Sequence, residues 1–230
     1  MALLTLTPDL LNREPADRLF ARMTGIGPGE QGGERGVLAQ RLKELLCASG
    51  TARCLYGEFP VAIAGPDHIT AEEGVVFTGP GLERALGSPS KIIAYVLTLG
   101  DLSALYRGKE LLAQYLLDTW ASLYCELAFR EFYERIGLEY GAHKFFLSPR
   151  CSPGYADFGL GNQEGIFALL RPEKIGVALS SGLMMVPEKT VSGIIGVSDR
   201  PFASGPSPCE RCTLRETCKH RDTSLCGMSG

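Results

Sequence analysis

No run of lysine and arginine occurs anywhere in this sequence, and the formal net charge is −3. A nucleic-acid-binding surface neutralises phosphates with clustered cations, so that class is excluded. No apolar stretch reaches the roughly 18 residues that crossing a bilayer requires. The opening residues, MALLTLTPDLLNREP, hold neither the basic start nor the small-residue cleavage site of a secretory leader, so the expected location is the cytosol. An internal repeat is also lacking, as is a regular βαβ alternation. What remains is a chain of 230 residues, 45% hydrophobic and 21% charged, the balance of a soluble globular protein. It is long enough for one large domain or two small ones with a real core.

Cysteine is unevenly spread. Cys47, Cys54, Cys125 and Cys151 are scattered, whereas Cys209, Cys212, Cys218 and Cys226 crowd the end of the chain. A reducing cytosol disfavours structural disulfides, and clustered cysteines there point to a metal. The spacing Cys-x2-Cys-x5-Cys-x7-Cys aims two thiolates from one tight turn and closes the shell with two later ones. Four thiolates suit an iron–sulfur cluster or, alternatively, zinc. The spacing fits neither common ferredoxin pattern nor a standard zinc ribbon, so the metal stays open. His220 reads as an exposed residue among Lys219, Arg221 and Asp222. From Pro201 onward the tail is too polar to fold on apolar burial, so it needs a metal or is disordered.

Along the rest of the chain, apolar spacing predicts a helix over Asp9–Met23, a Gly-rich turn, and a second helix over 34–47. Strand-like runs follow at 52–63, 74–79 and 92–100, the last a continuous apolar run of the kind found in a buried strand. The strongest helical signal spans 108–137, with Gly137 as its expected stop. A turn-rich segment over 148–163 precedes a short helix at 164–171. Residues 175–197 then read as two strands split by a Pro187-Glu188 turn. This order predicts an α+β fold with a mixed or antiparallel sheet and flanking helices. Residues 1–84 are expected to be an N-terminal part of the same domain, 85–200 its core, and 201–230 a Cys-rich metal-binding tail.

The segment RCSPGY, residues 150–155, is the clearest candidate for a binding loop. Pro153 fixes its own φ and Gly154 accommodates φ > 0, so the chain turns sharply between an arginine and a tyrosine. Such a turn is either a plain surface loop or one that wraps a small anionic ligand. On the preceding helix, spacing alone puts Glu126 on a polar stripe with Thr119, Ser122, Arg130 and Tyr133. There it would be exposed and paired with Arg130 at i,i+4.

Three segments in order carry a resemblance. LLDTWASLYCELAFREFYERI, then RCSPGY, then SSGLMMVPEKTVSG together resemble the activation domain of cobalamin-dependent methionine synthase, over roughly residues 85–200. The most specific parts are Arg-x-x-Pro-Gly-Tyr and the later Met185, Pro187, Val191, Ser192 and Gly193. The resemblance implies a C-shaped domain with a twisted antiparallel sheet. It also implies that S-adenosylmethionine is bound and used to remethylate cobalamin oxidised to the cob(II) state, after a one-electron reduction. Carried over residue by residue, Arg150 would hold the methionyl carboxylate and Glu126 the ammonium. Tyr155 would border the ligand. Backbone groups from Arg150 through Cys151 to Ser152 would face the adenine, with Pro153 and Gly154 forming the turn. A guanidinium fork suits a carboxylate in a way an ammonium does not. No general base is expected, because the methyl would pass directly to cobalt.

Other residues near these motifs have plainer readings. Met184 and Met185 are expected in the sheet core, Ser192-Gly193 as a strand kink, and Cys151 as a small filler.

The chain departs from the resemblance in three places. Ala156 stands where the full-length enzymes have proline, and their following Cys-Pro-x-His is missing. No Asp-x-His-x-x-Gly corrinoid loop is present, Asp67 and His68 being adjacent. Cobalamin would therefore come from a partner, either a corrinoid protein or a methionine synthase lacking its own activation domain. Finally, the family domain has no Cys-rich tail. An iron–sulfur cluster there could relay the electron that an outside donor such as flavodoxin or ferredoxin supplies. The alternative is a non-catalytic docking module with a structural zinc tail.

Overall fold

The computed structural model describes residues 1–27, 32–155, 158–201 and 216. The metal ligands expected at Cys209, Cys212, Cys218 and Cys226 lie outside the described residues, as do His220, Ala156 and Asp157. The chain opens with strand β1 (Ala2–Leu6), a 3-10 turn over Pro8–Asn12, and helices α1 (Glu14–Thr24) and α2 (Glu34–Ala48). Then come β2 (Ala52–Gly65), β3 (His68–Ala71), β4 (Val76–Thr78), the short helix α3 (Leu82–Ala85) and β5 (Lys91–Thr98). A single turn of helix, α4 (Ser103–Tyr106), leads into the long α5 (Leu111–Ala142). The remainder is β6 (Phe146–Leu147), α6 (Asn162–Leu170), a 3-10 turn over Pro172–Ile175, the hairpin β7 (Ala178–Leu179) and β8 (Met185–Val186), and β9 (Thr190–Ser198).

Seven strands form one sheet in the order β4-β3-β2-β5-β9-β6, with β1 also pairing to β2, and every pairing is antiparallel. The fold is α+β with helices on both sheet faces. β5 explains why its sequence is apolar without alternation. Ile93, Tyr95 and Leu97 enter the core against α1, α2 and α5, while Ile92, Ala94 and Val96 enter the core against α3 and α6. A strand covered on both faces has no polar side to show.

α5 spans about 48 Å at 1.5 Å per residue and is the mast of the first core. Trp120 stacks on Phe20 at 3.8 Å and donates its Nε1–H to the Ala39 carbonyl at 3.0 Å. The Tyr124 hydroxyl donates to the Leu6 carbonyl and accepts from the Ala52 amide, which ties β1 and β2 to the helix. Burial pushes the Cys125 thiol up to about 12 and raises that of Cys54 as well, so both stay protonated filling groups.

Several expectations are corrected. The helix expected over Asp9–Met23 is split at Arg13, because Pro15 lacks an amide hydrogen and belongs in a first helical turn. β1 was not anticipated at all. Gly137 does not stop α5, which runs five residues further to Ala142 because Ile136 and Tyr140 pack on the core. Residues 175–197 form three strands rather than two, with a cis peptide at Val186–Pro187. Met184 is 64% exposed and Met185 only partly buried, so the methionines sit on the small hairpin and not in the sheet core. No helix among the described residues is long and apolar enough to cross a membrane.

Candidate functional site

The segment after β6 runs along the edge of β9. The Ser148 amide donates to the Gly196 carbonyl at 2.9 Å, and the Gly196 amide donates to Ser148 Oγ at 2.8 Å. Cys151 and Ile194 then exchange both backbone hydrogen bonds, each 2.9 Å. The Tyr133 hydroxyl of α5 donates to the Ser148 carbonyl at 2.9 Å and clamps this edge to the helix. Pro149 and Arg150 lie between these two anchor points.

Arg150 meets α5. Its Nη2 donates to both oxygens of Glu126, at 2.9 and 2.8 Å. The guanidinium lies 4.3 Å from the Phe129 ring centre, the residue one helical turn beyond Glu126. Both charged side chains remain about a third exposed, so the pair is accessible to solvent. Burial works against the Arg150 charge, but Tyr95 and Glu126 outweigh it, and its pKa is raised. The exposed pairing of Glu126 with Arg130 suggested by spacing is not formed. Arg130 binds Glu134 at 2.9 Å instead.

Beyond Arg150 the chain turns through Pro153 and Gly154. Gly154 has φ +86°, the value the third residue of a type II turn needs. Pro153 is buried beneath the turn, and Tyr155 stands 75% exposed at its rim rather than packing under it. The turn closes with the Tyr155 amide donating to the Ser152 carbonyl at 3.2 Å, and the Gly154 amide donates to the Phe158 carbonyl at 2.8 Å. One expectation changes. The backbone groups of Cys151 are not available to a ligand, because both are spent on Ile194.

The sheet beneath supplies a floor. Tyr95 of β5 stands opposite Gly193 of β9 in the antiparallel register. A Cβ at Gly193 would fall 2.7 Å from the Cys151 carbonyl oxygen, 2.9 Å from the Tyr95 hydroxyl and 3.1 Å from Ser152 Oγ. Gly193 is therefore a close-approach glycine rather than a strand kink. Its neighbour Ser192 points to the opposite face, where its hydroxyl exchanges hydrogen bonds with Gln163 of α6. Sequence reasoning missed Tyr95 and Phe129. The signals were a tyrosine inside the aliphatic run IIAYVL, and an aromatic three residues after Glu126.

A second polar station lies two turns earlier on α5. Lys189 Nζ bonds Asp118 at 2.7 Å and the Ser122 hydroxyl at 2.9 Å, fixing the start of β9 to the helix. Among the described residues, no three His, Cys, Asp or Glu side chains converge as a metal site.

No protein-family model matches this chain, and no curated relative does. Among solved structures it is similar to the crystal structure of the MetH reactivation domain bound to AdoHcy. The TM-score is 0.60 at 20% identity, covering 90% of this chain and 80% of that one. At that identity the likeness establishes a shared fold.

Proposed function

We propose that this protein binds S-adenosylmethionine at the Glu126–Arg150 pair and delivers its methyl group to a corrinoid held by a partner protein, reactivating a methyltransferase such as methionine synthase. The observation that carries the reading is the Nη2 contact to both Glu126 oxygens, at the edge of a sheet whose fold is shared with a reactivation domain. That domain was crystallised with AdoHcy, the product of methyl donation.

An α-amino acid presents an ammonium and a carboxylate side by side. Arg150 uses one nitrogen on Glu126, and a guanidinium has five N–H donors, so the rest of the fork suits a carboxylate. A carboxylate has about four acceptor positions, and Glu126 has room for an ammonium besides Arg150. Phe129 lends the face of its ring to positive charge, and the exposed Tyr155 would border the ligand.

The chemistry asks little acid–base work of these residues. The corrinoid, once reduced by one electron from cob(II) to cob(I), supplies the nucleophile. Cobalt takes the methyl carbon, the carbon–sulfur pair stays with sulfur, and S-adenosylhomocysteine leaves. No proton moves, so Arg150, Glu126 and the turn contribute positioning and exclusion of water. The electron would come from a flavodoxin- or ferredoxin-type donor through a cluster on Cys209, Cys212, Cys218 and Cys226. That relay rests on their spacing alone.

Calorimetric titration of anaerobically purified protein with S-adenosylmethionine, beside Arg150→Ala, tests the site. Saturable binding is expected, weakened in the variant by about 2 kcal/mol, the scale of a lost charged hydrogen-bonded pair. Absence of binding in both proteins would overturn the reading and leave a docking module.

A further inference from the structure

Tyr95 holds a hydroxyl that makes no well-formed hydrogen bond in the ligand-free fold. Its side chain is fully buried, and its oxygen is the one buried side-chain polar atom among the described residues without a hydrogen-bond partner. Native folds satisfy nearly all such groups, so an exception calls for a reason. This one lies under the candidate site. The ring packs 5.0 Å from Phe129, the same ring that carries the Arg150 guanidinium at 4.3 Å. The hydroxyl sits over Gly193 beside Ser152 Oγ, near enough for Ser152 to influence it but without a hydrogen bond of acceptable geometry. Burial, the largest influence, pushes the Tyr95 phenol up to about 12, so it is a donor at every physiological pH.

A phenylalanine would fill the same space without an orphaned oxygen. Phe129 and Phe132 already surround the ring with apolar contacts. The hydroxyl is therefore unneeded for packing the core and adds a desolvation penalty there. It gains a use only when the Ser152 side chain beside it reorients. Ser152 belongs to the 150–155 turn, two residues after Arg150 and three before Tyr155, so it neighbours the residues that would hold a ligand. Lys189, the Tyr133 clamp and the paired backbone bonds of Cys151 to Ile194 hold β9 and the 148–151 edge in place, so the Ser152 side chain is the group that can reorient towards Tyr95.

We propose that Tyr95 is a ligand-positioning residue: on loading of the Glu126–Arg150 site its hydroxyl donates to Ser152 Oγ and locks the 150–155 turn over the bound amino-acid moiety. The proposal rests on the reading of that site given above. It predicts an unusual split, because removing the hydroxyl should cost the empty protein nothing and the loaded protein a hydrogen bond.

The test is titration of wild type, Tyr95→Phe, Ser152→Ala and the double variant with S-adenosylhomocysteine, with thermal melts of each in the absence of ligand. Tyr95→Phe is expected to melt at the wild-type temperature or above it when empty. It is expected to bind S-adenosylhomocysteine about 5–10-fold more weakly, the value of one buried hydrogen bond. Ser152→Ala should show a similar loss, and the double variant should lose no more than either single one. Unchanged affinity in Tyr95→Phe while wild type binds would overturn the proposal and leave the site reading intact. So would a lower melting temperature of the empty variant, which would mean that the hydroxyl is already partnered, or additive losses in the double variant. Failure of the wild type itself to bind would instead overturn the site reading, and the proposal with it.

Discussion

A methyl group added at Gly193 would meet three oxygens at 2.7 to 3.1 Å, and the nearest belongs to the backbone of Cys151. A backbone carbonyl already bonded to Ile194 cannot swing aside as a side-chain tip can. Gly193→Ala should therefore push residues 150–152 off β9 and cost about 1–3 kcal/mol, the usual range for overpacking. Ligand binding should fall with it, since Arg150 rides on the displaced segment. A thermal melt and a titration on one preparation check both parts. The Glu126–Arg150 pair behaves differently at this scale. Its side chains are about a third exposed, so the bond itself adds only about 0–1 kcal/mol to the fold. On the proposed function, its worth lies in presenting two opposite charges 2.8 Å apart, a spacing that suits a zwitterion.

Among the elements, α5 shows how packing overrides local preference. Glycine costs a helix interior roughly 1 kcal/mol relative to alanine, and Gly137 has nothing within 4 Å of where a Cβ would stand. Gly137→Ala should raise stability by about 0.5–1 kcal/mol, read as a higher melting temperature with unchanged ligand affinity. A charged contact supplements the apolar docking of α1 on α5, where Phe20 stacks on Trp120. Glu131 accepts from Arg135 and from Arg13 at the head of α1, and those hydrogen bonds hold its carboxyl below the usual range. A carboxyl depressed in the fold contributes stability that is fully present above its unfolded value, about 4.3, and is lost as pH falls through the folded one. Both arginines are more than half exposed, so the contribution is discounted to about 1 kcal/mol. Glu131→Gln should thus melt lower than wild type at pH 7, with the gap closing below about pH 4.

Much of this scale was legible in sequence. β5 declared itself by a continuous apolar run, α5 by its repeat, and the 153–154 turn by Pro-Gly. What stayed hidden was set by partners distant in sequence. β1 is a strand only because β2 lies beside it, and Met184 looks like a core residue until the small hairpin carries it out to the surface, with Met185 left partly buried beside it. Glu126 turned from Arg130 to Arg150 because a segment 24 residues away returns along β9. No local spacing rule contains that contact.

On the scale of the whole molecule, the candidate site and the cysteine tail depend on different parts of the chain. Every side chain of the site stands on α5, β5, β9 or the 150–155 turn, all within the described residues. The tail leaves from the far end of β9, whose five-residue rise from Gly193 to Ser198 is about 16 Å. The 11 residues from Asp199 to Cys209 reach at most about 36–40 Å, so the first tail cysteines can lie within range of the site without any part of it needing them. Binding and electron delivery should then separate. The paired substitution Cys209→Ser with Cys212→Ser in the full chain is expected to abolish bound iron, measured by elemental analysis of anaerobically prepared protein, and to leave the S-adenosylhomocysteine titration unchanged. Zinc without iron in the wild type would remove the relay and keep the site. A titration that collapses along with the metal would mean that the tail builds part of the pocket, and the division of labour between sheet and tail would have to be abandoned.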